Sequence, residues 1–324
     1  MTNLLITRHD KIGDFITTLP MIKIAKRDLK DTNIIVMVSK VNYEFAKSID
    51  YIDDVILYED CIFKLIKAVK EKNIDVSISA FSDMKLAIAL LLSGVKERFA
   101  PATKIAQMFY NHKIVQRRSK VAMTEYEYNI ELLKAYDKHI HQHFHKPVIE
   151  FKHEEILGQL EKFKNEFNIT EDYKYVAFHP GYGGSSDGNI SLDDYISLAK
   201  SLCGKKHLKI VFTFGPDDKK SKEYITSQID FDCIIYDSKL PLIDFCKLLC
   251  NFELLISTST GPMHLAGAIN IKTLSFFGSK LFASPRRWAT VSDTENQSNF
   301  CIPHNYDRNL YKSIENKLHE IIYE

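Results

Sequence analysis

The chain lacks any apolar stretch of bilayer length. Its longest apolar run, "LAIALLLSGV" at residues 86–95, is about half of what a spanning helix needs and reads as a buried helix. The opening "MTNLLITRHD" has no basic segment and no small-residue cleavage site of the kind that marks export, so the expected location is the cytoplasm. Cysteine pairing is also missing: Cys61, Cys203, Cys233, Cys246, Cys250 and Cys301 are scattered. The two nearest, Cys246 and Cys250, stand at helical rather than C-x-x-C spacing, which favours packed thiols over disulfides or a zinc site. Neither sign of charge dominates, because 43 basic and 42 acidic side chains leave a net +1, and this excludes a general attraction to nucleic acid. No solenoid repeat and no low-complexity tract is visible. What is present is a chain of 324 residues, 45% hydrophobic and 26% charged, which reads as globular and long enough for two domains with separate cores.

Short apolar runs at residues 3–7, 33–38, 54–58, 76–79, 175–179, 209–214, 254–257 and 273–277 read as strands. Between them lie amphipathic stretches such as "FKLIKAVKEKN" and "LPLIDFCKLLCNF" with apolar residues at helical spacing. This alternation predicts an α/β fold of parallel sheets covered by helices on both faces. The rhythm breaks after residue 137 and restarts at "YVAFHPGYGG", which predicts domains of residues 1–155 and 156–324.

In open parallel sheets ligands bind at the carboxyl ends of strands, and the turn after the first strand is the usual place. Here that turn is "TRHDKIGDFITTLP". Gly13 permits a tight turn, and Asp14 falls near the start of a helix read as the continuous stretch "FITTLPMIKIAKRDL". Asp14 is then either a chemical carboxylate held at a helix start or an ordinary cap, with Arg8, His9 and Lys11 as solvated loop charges in the second case. A second stretch, "STSTGPMHLAGAINIKTLSFFG", places Ser259, Thr260 and Gly261 before a helix. Free N–H groups and the positive dipole end there make an anion site that a diphosphate would fit. His264, one turn in, reads equally as a packed core histidine or as a phosphate or ribose contact.

These two stretches, together with "AFHPGYGGSSDGNISLDDYISLAK" and "FTFGPDDKK", resemble the ADP-heptose:lipopolysaccharide heptosyltransferases of glycosyltransferase family 9 over nearly the whole chain. "TGPMHLA" after an apolar strand is the most specific part. The resemblance implies a GT-B arrangement of two Rossmann-like domains with parallel sheets facing across a cleft. The acceptor would bind the N-terminal domain and the nucleotide sugar the C-terminal one. It further implies inversion at the anomeric centre, with no metal and no other cofactor. Carried over by position, Asp14 matches the general base. Thr260, Gly261 and His264 match residues around the donor diphosphate, with Ser259 standing where many members carry Asp. Gly181 and Gly184 match the donor loop, Asp218 (with Asp217 as rival) a ribose partner, and Leu240 a base-pocket side chain. Arg8, Lys11, Arg98, Arg117 and Arg118 are the expected acceptor-side contacts. The implied partners are an ADP-sugar, a lipopolysaccharide core and, peripherally, the inner face of the inner membrane.

One departure concerns the leaving group, since the lysine of many relatives falls at Gly188. A cation lost there costs transition-state stabilisation unless Lys11, Arg286 or Arg287 replaces it; the alternative for the two arginines is a covering role around Trp288. The segment "NHKIVQRRSK" carries no acid and reads either as a solvated loop or as a contact for anionic glycan or lipid. His139, His141, His143 and His145 alternate and read as a solvated edge strand rather than a metal site. Two functional classes compete: an inverting glycosyltransferase, and a sugar-nucleotide epimerase of the same architecture. A sugar-binding protein without turnover is disfavoured because carboxylate and diphosphate site are both present.

Overall fold

The structure, a computed structural model, describes residues 1–103, 105–181 and 188–323. The chain forms two compact units, Met1–Val148 and Ile149–Glu324. The division falls ahead of position 155 because the helix His153–Glu166 belongs wholly to the second unit. Its Glu155 pairs with Lys247 at 2.9 Å, and its Ile156 carbonyl accepts from Asn251 at 3.1 Å.

The first unit contains β1 (Thr2–Arg8), β2 (Thr32–Val38), β3 (Asp54–Leu57), β4 (Val76–Ser79), β5 (Glu97–Pro101) and β6 (His112–Ile114). They form one parallel sheet in the order β3-β2-β1-β4-β5-β6. Leu4, Leu5 and Ile6 of β1 are all buried, because a central parallel strand is covered on both faces and side chains of either parity need apolar surroundings. The second unit contains β7 (Lys174–His179), β8 (Leu208–Phe214), β9 (Ile234–Asp237), β10 (Phe252–Thr258), β11 (Lys272–Gly278) and β12 (Gln297–Ile302). Its order is β12-β11-β10-β7-β8-β9, the same winding repeated, and all its pairs are parallel. Each unit is therefore Rossmann-like, with its switch point beside its own first strand: between β1 and β4, and between β7 and β10.

Two local expectations are corrected. The stretch "FITTLPMIKIAKRDL" is not one helix but two, Ile12–Ile16 and Leu19–Asp28. The hydroxyls of Thr17 and Thr18 both donate to the Asp14 carbonyl, at 2.7 and 3.1 Å, and Pro20 cannot donate a backbone N–H, so the ladder breaks between the threonines. The alternating histidines at 139–145 form no strand. The carbonyls of His141 and His143 accept from Arg27, and the His141 N–H donates to Asp28, which occupies the groups a strand ladder would use. The helix within the longest apolar run, Met84–Leu92, buries Leu86, Ala87, Ala89 and Leu90 but exposes Leu91 and Leu92. Of the cysteines only Cys246 is buried, and Cys203 and Cys301 are exposed.

Candidate functional site

Arg8 closes β1 and is 4% exposed, so its guanidinium must be paired where it lies. Nε donates to Asp10 at 3.0 Å, Nη1 to Glu125 at 3.1 Å and to the Ala80 carbonyl at 3.3 Å, and Nη2 to Asp14 Oδ1. Burial alone would lower the pKa of Arg8, but Asp10, Asp14 and Glu125 outweigh it and the net direction is upward. Glu125 is buried and also accepts from Arg118 Nη1 at 2.6 Å. Asp10 is pushed up to about 6, by burial first, with Arg8 opposing and Asp14 adding to the rise. Asp14 occupies the first turn of Ile12–Ile16, whose N-cap is Lys11, so it is not the cap of that helix. Its carboxylate is 17% exposed, and Arg8 takes Oδ1, leaving Oδ2 without a protein partner among the described residues.

Beside this network, Nε2 of His9 meets Asp83 Oδ2 at 2.8 Å, and the imidazole stacks on Tyr58 at 3.9 Å. Tyr58 donates to the same Asp83 oxygen at 2.7 Å, and Asp83 Oδ1 caps the next helix by accepting from the Leu86 N–H at 2.8 Å. Burial pushes the Asp83 carboxyl up, but the three donors outweigh it and hold it well below the usual range. Asp83 and Ala80 follow β4, so both networks sit at the switch point of the first sheet.

In the second unit the corresponding loops follow β7, β8 and β10. Gly181 lies so close to Asp218 that a Cβ on it would stand 2.0 Å from the carboxyl carbon. Only glycine allows this approach. Asp218 is buried, accepts from the Gly215 N–H at 2.8 Å and lies 3.5 Å from Nε2 of His179, whereas Asp217 is exposed. Burial lowers the pKa of His179 despite Asp218, and its Nδ1 meets Thr213 at 3.0 Å. After β10, Thr260 is the N-cap of the helix Gly261–Ala268. Helix geometry leaves the Gly261 and Met263 amides without partners inside the helix, and Pro262 has none to offer. His264 is buried in the second turn, edge-on to Trp288 at 6.5 Å. Gly188 packs against the end of β11, where a Cβ would lie 2.2 Å from the Phe277 carbonyl oxygen, so no side chain fits at that position as the backbone stands.

The remaining expected residues are spread out. Leu240 is half-buried in the loop after β9, and Ser259 is half-buried beside Thr260, its N–H donating to Phe276 at 2.9 Å. Lys11 and Arg117 are exposed. Arg98 holds the Val95 and Phe109 carbonyls at the amino-terminal end of β5 rather than at its carboxyl end. Arg118 is turned inward to Glu125 and lies over the Tyr128 ring at 5.4 Å. Arg287 is buried against the rings of Phe282 and Trp288, at 3.7 and 4.9 Å, while Arg286 is exposed. Gly184 lies outside the described residues. Sequence reasoning missed Asp10, Glu125, Asp83, Tyr58 and His179. Only Asp10 had a signal, its place in the charged turn.

Among the described residues no cluster of three or more His, Cys, Asp or Glu side chains is placed to hold a metal ion. The three carboxylates of the first unit surround a guanidinium instead. Two Rossmann-like units, each with charged or glycine-shaped loops at its switch point, define a two-domain α/β protein. The family model of glycosyltransferase family 9 (heptosyltransferase) matches residues 62–318. A Haemophilus influenzae protein with a provisional glycosyltransferase description is 32% identical over 338 residues, covering 99% of this chain and 96% of its own. The chain belongs to glycosyltransferase family 9. Its fold is that of Escherichia coli ADP-heptose LPS heptosyltransferase II, with a TM-score of 0.80 at 18% identity, covering 100% of this chain and 99% of that one. It is likewise similar to Escherichia coli heptosyltransferase WaaC solved with ADP, with a TM-score of 0.71 at 17% identity and 99% of both chains covered.

Proposed function

We propose that this family 9 glycosyltransferase moves heptose, or a related sugar, from an ADP-sugar to a lipopolysaccharide core or similar surface glycan. The reaction inverts the anomeric centre without a metal. Acceptor chemistry is assigned to the first unit and donor binding to the second. The observation that carries the reading is the Asp14 carboxylate at the switch point of the first sheet, tethered through Oδ1 and open at Oδ2. In the step, the acceptor hydroxyl oxygen bonds to the anomeric carbon and its proton passes to Asp14 Oδ2. The bond from that carbon to the phosphate oxygen breaks, and ADP leaves with the electron pair.

The charge that gathers on the diphosphate is met by the Gly261 and Met263 amides at the dipole end of their helix. Asp218, against which the Gly181 backbone packs, is the proposed ribose partner. Leu240 flanks the base, and Ser259, Thr260 and His264 border the phosphates. Among Lys11, Arg286 and Arg287, the replacement proposed for the family lysine at Gly188 is Arg287, since it stacks on the Trp288 ring that His264 meets. The WaaC structures with ADP and with ADP-2-deoxy-2-fluoro heptose support the donor class. Membership in a glycosyltransferase family sets the epimerase reading aside. Membrane contact is proposed to be peripheral, on the inner face of the inner membrane; no described helix is long and apolar enough to cross a membrane.

The test is Asp14→Asn beside Asp14→Ala, read by melting temperature, ADP affinity and single-turnover transfer from ADP-heptose to truncated lipopolysaccharide. Both variants should fold and bind ADP while turnover falls about 10²–10⁴-fold, the usual contribution of a general base. Transfer at the wild-type rate by a folded Asp14→Asn protein refutes the assignment.

A further inference from the structure

Residues 91–120 contain seven Lys or Arg side chains and one acid, Glu97, a net +6 within a chain whose total is +1. Arg98 and Arg118 are turned inward, but Lys96, Lys113, Arg117 and Lys120 are exposed. The same stretch exposes Ile105 by 70%, Met108 by 71% and Val115 by 71%. Ile105 and Met108 belong to the 3₁₀ turn Ile105–Phe109, where residues three apart eclipse one another, so the two side chains lie along one edge. The other side of that turn is anchored: Ala106 and Tyr110 are buried with Leu86 and Leu90, and Phe109 packs on them. The Ala102 N–H donates to the Ile114 carbonyl at 2.7 Å, which ties the entry to the turn to the end of β6, the edge strand of the first sheet. Large apolar side chains held outward on an anchored turn, in a segment that also exposes lysines and an arginine, are the pattern of an interfacial anchor, since each group is satisfied only at a boundary between hydrocarbon and anionic headgroups.

We propose that this β6-edge face docks the protein onto an anionic lipid bilayer, with Ile105 and Met108 entering the headgroup boundary and Lys113, Arg117 and Lys120 meeting lipid phosphates. The proposal gives a surface to the peripheral membrane contact of the proposed function and is independent of the transfer chemistry. The charge sign selects an anionic surface, and the apolar pair distinguishes a bilayer from a soluble polyanion. The test uses the full chain and sedimentation with vesicles of phosphatidylglycerol in phosphatidylcholine, against phosphatidylcholine alone. Wild type should partition to the anionic vesicles and be released by salt. Ile105→Ser with Met108→Ser should weaken partitioning at least tenfold, and Lys113→Glu should weaken it about fivefold or more. Both sets of positions are exposed, and an unchanged melting temperature confirms folding. Equal partitioning of the apolar double variant, no preference for anionic vesicles, or binding to a soluble lipopolysaccharide core oligosaccharide without binding to vesicles would each overturn the proposal.

Discussion

Asp10 carries a stability cost that pH should reveal. Its side chain is 19% exposed, is bonded to Arg8 at 3.0 Å, and has its carboxyl raised from 3.8 to about 6 by burial and by the Asp14 charge against the pull of Arg8. An acid whose folded pKa exceeds its unfolded one binds more protons folded than unfolded between the two values. The Asp10 contribution to stability is therefore greatest below about pH 4, falls as pH rises toward 6 and is level above it. The whole difference corresponds to about 3 kcal/mol, at about 1.4 kcal/mol for each pKa unit. Asp10→Asn keeps the size and an oxygen for Arg8 Nε but removes the titration. The stability of the variant relative to wild type should therefore increase by about 2 kcal/mol between pH 4.5 and 7.5. Urea denaturation followed by far-UV circular dichroism is the suitable assay, because the single tryptophan, Trp288, lies in the second unit and does not report on the first. A difference that is flat with pH, or one that moves against the variant at neutral pH, refutes the reasoning. The second outcome would mean that the attraction to Arg8 outweighs burial.

Two further substitutions probe the second unit. Gly181→Ala places a methyl 2.0 Å from the Asp218 carboxyl carbon and should displace that carboxylate from the Gly215 N–H; calorimetry should show weaker ADP binding, and unchanged affinity would separate Asp218 from the nucleotide. Gly188→Lys restores the lysine of many relatives, but its Cβ meets the Phe277 backbone at 2.2 Å, so it should lower stability by about 1–3 kcal/mol and slow transfer; a stable, faster enzyme would sink the steric argument.

The strands that sequence reasoning found are mostly the central ones, and the four it missed are β5, β6, β9 and β12. Three of these are edges, β6 and β9 at one side of each sheet and β12 at another. An edge strand is half wet, so "HKI" and "QSNFCI" carry polar residues where β1 carries "LLI". Strand β5, "ERFAP", is masked by charge and by a proline. The two-domain α/β class was legible because buried parallel strands must be apolar throughout.

The same division explains which parts of the candidate site could be read. Asp14, Gly181 and Thr260 stand in turns next to strong strands, where strand and turn together announce a switch point. Glu125 gives no such announcement: it follows Thr124, the cap of the helix Glu125–Tyr136, and reads as an ordinary first-turn acid. Yet it is 1% exposed and reaches Arg8 across 117 residues of sequence. What fixes its role is the cost of burying a guanidinium at the end of β1, which three carboxylates offset from one loop and two helices. A local pattern can place the carboxylate proposed to take the proton. The charges that hold it in position are set by topology, through the neighbouring strand β4 and a helix that arrives only after β6.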